Sequence, residues 1–327
     1  MPSPAARIRG LAPKEPFMLI VHGYHSVPPE AKGAVLALGN FDGVHRGHQA
    51  LIGHAVAEAR RRGCPAGALV FDPHPSAFFR PGEPHFRLTR LDEKLNLFAE
   101  LGLDVAVVLA FDAALASLEA QRFIETVLVD ALGVSHVVVG YHFFFGHNRG
   151  GSAETLRRFG STHGFGVTVV EPVADRGEPF SSTDIRLLLA EGNVRGAAEA
   201  LGRPWSIKGP VIGGAKRGTG LGFPTANVAL PKGTALGHGI FAVRARLDGV
   251  SLDGAAYLGT RPTFDDGMPV LEVFLFGFDG DIYGREIEVS FIEKVRDDRR
   301  FSSPEELVTQ MSADCAKARE ILAAIPR

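Results

Sequence analysis

AVLALGNFDGVHRGHQAL, residues 34–51, joins an apolar run of strand length to a glycine-rich turn and then to a helical pattern. AVLAL (34–38) is short and apolar, as a strand buried on both faces should be, and HQALIGHAVAEARRR (48–62) places apolar residues at helical spacing. Outward from this stretch the alternation repeats. AGALVF (66–71) precedes LDEKLNLFAELG (91–102), and DVAVVLAF (104–111) precedes SLEAQRFIETVLVDALG (117–133). HVVVG (136–140) precedes SAETLRRFGSTHG (152–164), and GVTVVEP (166–172) precedes a last helical stretch from about Ser182. Five apolar strands alternating with helices predict an α/β fold with a parallel sheet covered on both faces. Ligands of such sheets bind beyond the carboxyl ends of the strands, which is where the turn at 39–47 falls.

Past about Gly202 the pattern changes. IKGPVIGG (207–214), GIFAVRARLDG (239–249), AAYLGT (255–260), VLEVFLFGF (270–278) and REIEVSFIEKV (285–295) are strand-like runs broken by Gly, Pro and Asp, with no helices between them. This is an antiparallel barrel or sandwich pattern. One helix from about Pro304 to Ala324 closes the chain, with Ser302 or Ser303 as N-cap and Glu305 and Glu306 favouring its first turn. The 327 residues exceed the roughly 250–300 at which one hydrophobic core stops growing, so two domains are expected, over 18–203 and 204–327. Residues 1–17, with Pro2, Pro4, Pro13 and Pro16 and no periodic pattern, are expected to be a loosely held extension.

A composition that is 45% hydrophobic and 22% charged is that of a globular chain, not a disordered one. A net charge of −2 leaves no global positive field to gather nucleic acid or an anionic membrane, so an anionic substrate must be held locally. Phe17 to Val21, the longest apolar run near the start, is far below the roughly 18 residues of a membrane span, and no export or anchoring is expected. Two cysteines, Cys64 and Cys315, one in each half, argue against a disulfide scaffold and for the cytoplasm. Glycine, at 39 residues or about 12%, exceeds the average near 7% and points to ligand-cradling loops.

Two constellations carry chemistry in the first half. In GNFDGVHRGHQAL (39–51), His45 and His48 stand three residues apart at a helix N-terminus, and Gly47 leaves room for a phosphate. Unpaired helix N–H groups and two imidazoles can donate to phosphate oxygens as charge develops there. A structural turn with surface histidines is the alternative for the isolated motif. FSSTDIRLLL (180–189) opens the helix after the fifth strand, with Ser181, Ser182 and Thr183 as N-cap or anion contacts and Arg186 one turn in. Capping alone would explain the hydroxyls. The pair of motifs resembles the nucleotidyltransferase superfamily, and together with FDPHP (71–75) it is similar to the FMN adenylyltransferase module of bifunctional riboflavin kinase/FAD synthetases. The resemblance implies a Rossmann-like domain in which FMN phosphate attacks the α-phosphorus of ATP and pyrophosphate leaves. It makes His45 and His48 catalytic, assigns ATP to Gly39, Asn40, Phe41, Gly47, Ser182, Thr183 and Arg186, and assigns flavin to Asp42, His74 and His142. GYHFFFG (140–146) departs from the family's G-x-D-F-x-F-G at His142 and Phe144, and Asp184 stands where a basic residue often follows S-S-T. The run Phe143–Phe145 fits either core packing or stacking on an isoalloxazine.

The second half opens with KGPVIGGAKRGTGLGFPTANVALP (208–231), whose glycines can wrap phosphate with backbone N–H groups and whose Thr225 and Asn227 offer hard oxygens to Mg²⁺. Pro224 fixes φ ahead of them. With LGTRPTF (258–264), LEVFLF (271–276), GDIYG (280–284) and EKVRDDRRFSS (293–303), this half resembles riboflavin kinase. That resemblance implies a six-stranded barrel that transfers the γ-phosphate of ATP to the terminal ribityl hydroxyl of riboflavin. Glu272 is then the general base, Thr225 and Asn227 hold Mg²⁺–ATP, Gly213, Lys216, Gly218, Gly222 and Pro224 belong to the ATP cradle, and Arg296 binds flavin. Without the motif, Glu272 would read as an exposed strand carboxylate. Thr219, Phe274 and Gly277 depart from the family's usual residues.

Together the resemblances imply a monomer or weak homo-oligomer that makes FMN from riboflavin and FAD from FMN, with ATP as co-substrate. One alternative is an active kinase beside a weakened or retuned adenylyltransferase, motivated by His142, Phe144 and Asp184. Another is a flavin-nucleotide sensor without turnover.

Overall fold

The computed structural model describes residues 18–172, 174–175, 178–213, 223–260 and 269–326. The expected extension, and Lys216, Gly218, Thr219 and Gly222 of the glycine-rich loop, lie outside the described residues.

Up to residue 201 the strands are β1 (Leu19–His22), β2 (Val35–Leu38), β3 (Ala66–Asp72), β4 (Val105–Ala110), β5 (His136–Gly140), the short pair β6 (Phe144–Phe145) and β7 (Gly151–Ser152), β8 (Gly166–Val170), and the short pair β9 (Ala174–Asp175) and β10 (Glu178–Pro179). The helices are α1 (Arg46–Arg62), α2 (Pro75–Phe79), α3 (Leu91–Glu100), α4 (Ala113–Ala116), α5 (Ala120–Arg122), α6 (Ala153–His163), α7 (Ser182–Ala190) and α8 (Val194–Leu201). A π-helical segment, Phe123–Ala131, occupies most of the stretch for which the sequence predicts one long helix.

β1, β4, β3, β2, β5 and β8 form one parallel sheet in that order. The sheet has six strands, not five. The added one, LIVH at β1, pairs with β4 at the edge and lacks the helical pattern after it that marks the others. From β2 the chain moves through β3 and β4 in one direction, while β5 lies on the other side of β2. The carboxyl ends of β2 and β5 therefore border the switch point where open α/β sheets bind ligands. The central strands are buried on both faces, and Leu36, Leu38, Leu69, Val107, Val137 and Val139 share a core with Ile124 and Leu128.

The rest of the chain forms β11 (Trp205–Ile212), β12 (Ala226–Val228), β13 (Gly239–Leu247), β14 (Val250–Thr260), β15 (Pro269–Leu275) and β16 (Glu286–Arg296), then α9 (Pro304–Ala324). The six strands close into a barrel in the order β11-β12-β15-β14-β13-β16. Alternation decides the two faces: Val228, Ala256, Leu258, Leu271 and Val273 fill the interior, while Ala255, Phe274 and Ile292 face out and pack with Cys315, Ala318 and Leu322 of α9. Ser303 caps α9, accepting from the Glu306 N–H at 3.2 Å.

Cα packing divides the chain into two compact units. One takes 18–41, 48–79 and 90–172. The other takes the turn 42–47, the segment 80–89 and the described residues from 174 onward, so that Ile185, Leu189, Val194 and Leu201 of α7 and α8 belong to the same core as the barrel interior.

Candidate active sites

In the sheet-bearing unit, Gly39 and Asn40 follow β2, His74 follows β3 and His142 follows β5, the carboxyl ends of three adjacent strands. The buried ammonium of Lys94 donates to the Asn40 carbonyl at 2.6 Å and fixes that backbone. Phe41 is fully buried at φ 48°, edge-on to Phe98 at 5.5 Å and to His48 at 5.2 Å. Nδ1 of His74 accepts from the Ser76 N–H at 3.2 Å. His142 is exposed, edge-on to Tyr141. The three phenylalanines that follow divide. Phe145 is buried and Phe143 stacks on it at 5.6 Å, while Phe144 is exposed under the Arg149 guanidinium at 4.9 Å.

In the barrel-bearing unit, the turn 42–47 is built around the buried carboxylate of Asp42. It accepts from the N–H groups of Leu88 at 3.0 Å and Thr89 at 3.2 Å and from Arg186. Arg186 also donates through Nε to Phe86 O at 2.7 Å and through Nη1 to Ser182 O at 3.1 Å. The Ser182 hydroxyl donates to Asp42 O at 2.8 Å. Arg186 and Ser182, which the family resemblance assigns to ATP, thus hold the turn through Asp42. Thr183 is exposed at the start of α7. Asp184 is absorbed into the α7 cap: Ser181 Oγ accepts from the Asp184 N–H at 3.1 Å and donates to its carboxylate at 2.5 Å.

Val44 adopts φ 43°, a rare conformation for a β-branched residue and one that clusters at functional turns. His45 is buried, and burial pushes its imidazole down to about 4 against the opposing pull of the Asp42 charge, so it is neutral near pH 7. A Cβ at Gly47 would meet the His45 ring at 3.2 Å, which explains glycine there by close approach of the imidazole.

The barrel carries its candidate residues on the outer face. Asn227 on β12 is the register partner of Glu272 on β15, and Tyr257 on β14 is its partner on the other side. The Thr225 hydroxyl donates to Glu272 Oε2 at 3.2 Å. Pro224 is exposed before this pair, and Gly213 is exposed where β11 ends. A hydroxyl, a carboxamide and a carboxylate on adjacent positions are hard oxygen donors of the kind Mg²⁺ accepts. Arg296, at the end of β16, forms a bidentate pair with the buried Asp314 of α9, Nε to Oδ1 at 2.9 Å and Nη2 to Oδ2 at 2.7 Å. Its guanidinium also lies 5.7 Å from the Phe301 ring.

Residues 27–184 match the family model for FAD synthetase, and residues 201–322 the model for riboflavin kinase. The bifunctional riboflavin kinase/FMN adenylyltransferase of Pseudomonas fluorescens is 41% identical over 94% of this chain and 98% of its own length. This chain belongs to the bifunctional riboflavin kinase/FMN adenylyltransferase family. The relative in Escherichia coli (strain K12) is 40% identical over 93% of this chain and 97% of its own. A crystal structure described as a macrolide-efflux protein from Streptococcus pneumoniae superposes with a TM-score of 0.81 at 30% identity, covering 91% of this chain and 97% of that one. Among the described residues here, no helix is long and apolar enough to cross a membrane.

As a bifunctional riboflavin kinase/FMN adenylyltransferase family member, the chain is a transferase of flavin-nucleotide synthesis with both catalytic domains. The resemblance read from H-x-G-H, S-S-T and G-F-P-T-A-N is confirmed. Sequence reasoning did not single out Lys94, Asp314 or Tyr257. Only Asp314 leaves a sequence signal, a carboxylate amid the small residues of a helix that packs on the barrel. The others are defined by partners more than 50 or 10 positions away.

Proposed function

We propose that the barrel phosphorylates riboflavin through Glu272 and that the histidine turn serves adenylylation of FMN. The arrangement that carries the kinase reading is Glu272, set between Asn227 and Tyr257 and touched by Thr225 at 3.2 Å. Glu272 takes the proton of the terminal ribityl hydroxyl, the oxygen attacks the γ-phosphorus of ATP, and ADP leaves. Thr225 and Asn227 would hold Mg²⁺–ATP; the cation, when bound, neutralises charge on the phosphates. Positioning and neutralisation dominate such transfers, with the base a smaller contribution.

For adenylylation, an FMN phosphate oxygen attacks the α-phosphorus of a second ATP and pyrophosphate leaves. A neutral His45 supplies an N–H donor without adding charge, and His48 lies in the first turn of α1, where helix N–H groups favour phosphate. We place the protein in the cytosol, on its two free cysteines.

The test follows purified protein with riboflavin, ATP and Mg²⁺ by chromatography, then repeats the course from FMN. FMN followed by FAD is expected. Glu272→Gln should depress FMN formation by about 10²-fold or more and leave FAD formation from supplied FMN intact, and His48→Ala should do the reverse. Equal loss of both activities in either variant would contradict these assignments.

A further inference from the structure

We propose that Tyr257 is a positioning residue of the kinase site, whose hydroxyl holds segment 297–303 beside the acceptor flank of Glu272. This rests on the assignment of Glu272 as the base. Register partners in an antiparallel barrel share a face, and Asn227, Glu272, Tyr257, Ile240 and Arg296 form one row of partners across five strands. Tyr257 is thus the neighbour of Glu272 on the side away from Asn227. In an in-line transfer, nucleotide and acceptor stand on opposite sides of the moving phosphoryl group. With the nucleotide on the Asn227 side, the acceptor alcohol approaches from the side of Tyr257.

The phenol lies along its own strand. A Cβ at Gly259, two residues on and on the same face, would collide with the Tyr257 ring and hydroxyl, so glycine there leaves the space the phenol occupies. From that position the hydroxyl donates to Asp298 Oδ2 at 3.2 Å. Other contacts of the segment run to its own flanking elements: Lys294 to Asp297 at 2.6 Å, and Arg299 to Glu306 at 3.0 Å. Tyr257 reaches it from a different strand of the barrel wall and ties it over Gly259, the register partner of Val270, diagonal to Glu272 on β15. A contact that orients the acceptor side, without touching the transferred group, should act on acceptor affinity.

The full chain is assayed for FMN formation with riboflavin and ATP varied in turn. Tyr257→Phe keeps the ring over Gly259 and removes the donor. The KM for riboflavin should rise about three- to tenfold, as expected for loss of one solvent-exposed hydrogen bond, with kcat and the KM for ATP within about twofold. Asp298→Ala should do the same, and the double variant should be no worse than either single one. An unchanged riboflavin KM in Tyr257→Phe, a loss falling on kcat or on ATP, or multiplying effects in the double variant would overturn the proposal. Glu272→Gln runs alongside: undiminished FMN formation there removes the base assignment itself, an outcome distinct from failure of the Tyr257 contact.

Discussion

His45 shows how burial sets the chemistry of one side chain. An imidazole exposed in the unfolded chain titrates near 6.5, whereas burial in the folded turn pushes it down to about 4. Between those values the unfolded chain binds a proton that the folded one does not, so stability falls as pH drops from 6.5 towards 4. The difference is on the order of 3 kcal/mol for this group. Urea unfolding at pH 7 and pH 4.5 should therefore show a smaller pH effect in His45→Gln than in the wild type. Equal pH effects in the two proteins would rule out His45 as the source. Neutral near pH 7, the imidazole can donate a hydrogen bond without adding charge to the turn.

At the scale of elements, α7 is tied to the turn 42–47 by its N-terminal residues. Arg186 and Asp42 form an ion pair in which the carboxylate is buried, with two backbone N–H groups completing its shell. Removing one partner of such a pair strands the other charge, a loss of about 3–5 kcal/mol, whereas replacing both is far milder. Arg186→Met should lower stability by that order in chemical denaturation, and Asp42→Asn in the same chain should restore part of it. A single variant as stable as the wild type would show that the pair contributes little. The α7 cap is a separate and smaller matter. Ser181→Ala should cost about 1 kcal/mol, because Asp184 N–H loses its acceptor and the Asp184 carboxylate its donor. Asp184, standing where a basic residue often follows S-S-T, thus has a local structural partner.

For the whole molecule, the single tryptophan gives a selective probe. Trp205 is buried, stacks on Phe291 at 5.5 Å, and donates through Nε1 to Leu88 O at 3.0 Å, all within the barrel-bearing unit. The chain leaves the sheet-bearing unit at 42–47 and again at 80–89 to pack with the barrel-bearing one, so unfolding of the latter frees segments covalently joined to β2, α1, α2 and α3. Tryptophan fluorescence, which reports one unit, and far-ultraviolet circular dichroism, which reports both, should follow coincident urea transitions. Well-separated midpoints would mean that the two units unfold independently.

What could be read along the chain was whatever depends on neighbours in sequence. Periodicity placed five of the six parallel strands, the principal helices and the Ser303-capped α9, because burial repeats at intervals of two or 3.6 residues. The contiguous motifs GNFDGVHRGHQAL, SSTDIR and GFPTAN carried the family, since their residues are fixed together by one turn or one strand. Edge strand β1 has no helical pattern after it to mark it, the three-residue β12 was too short to show a period, and the π-helical segment Phe123–Ala131 has the same apolar spacing as an ordinary helix. Folding alone decided that Arg186 closes on Asp42, that Arg296 closes on Asp314, and that Tyr257 stands beside Glu272. Each of these partners is distant in sequence, and a charge or register pairing between distant segments exists only once the chain has closed its barrel and packed its turns.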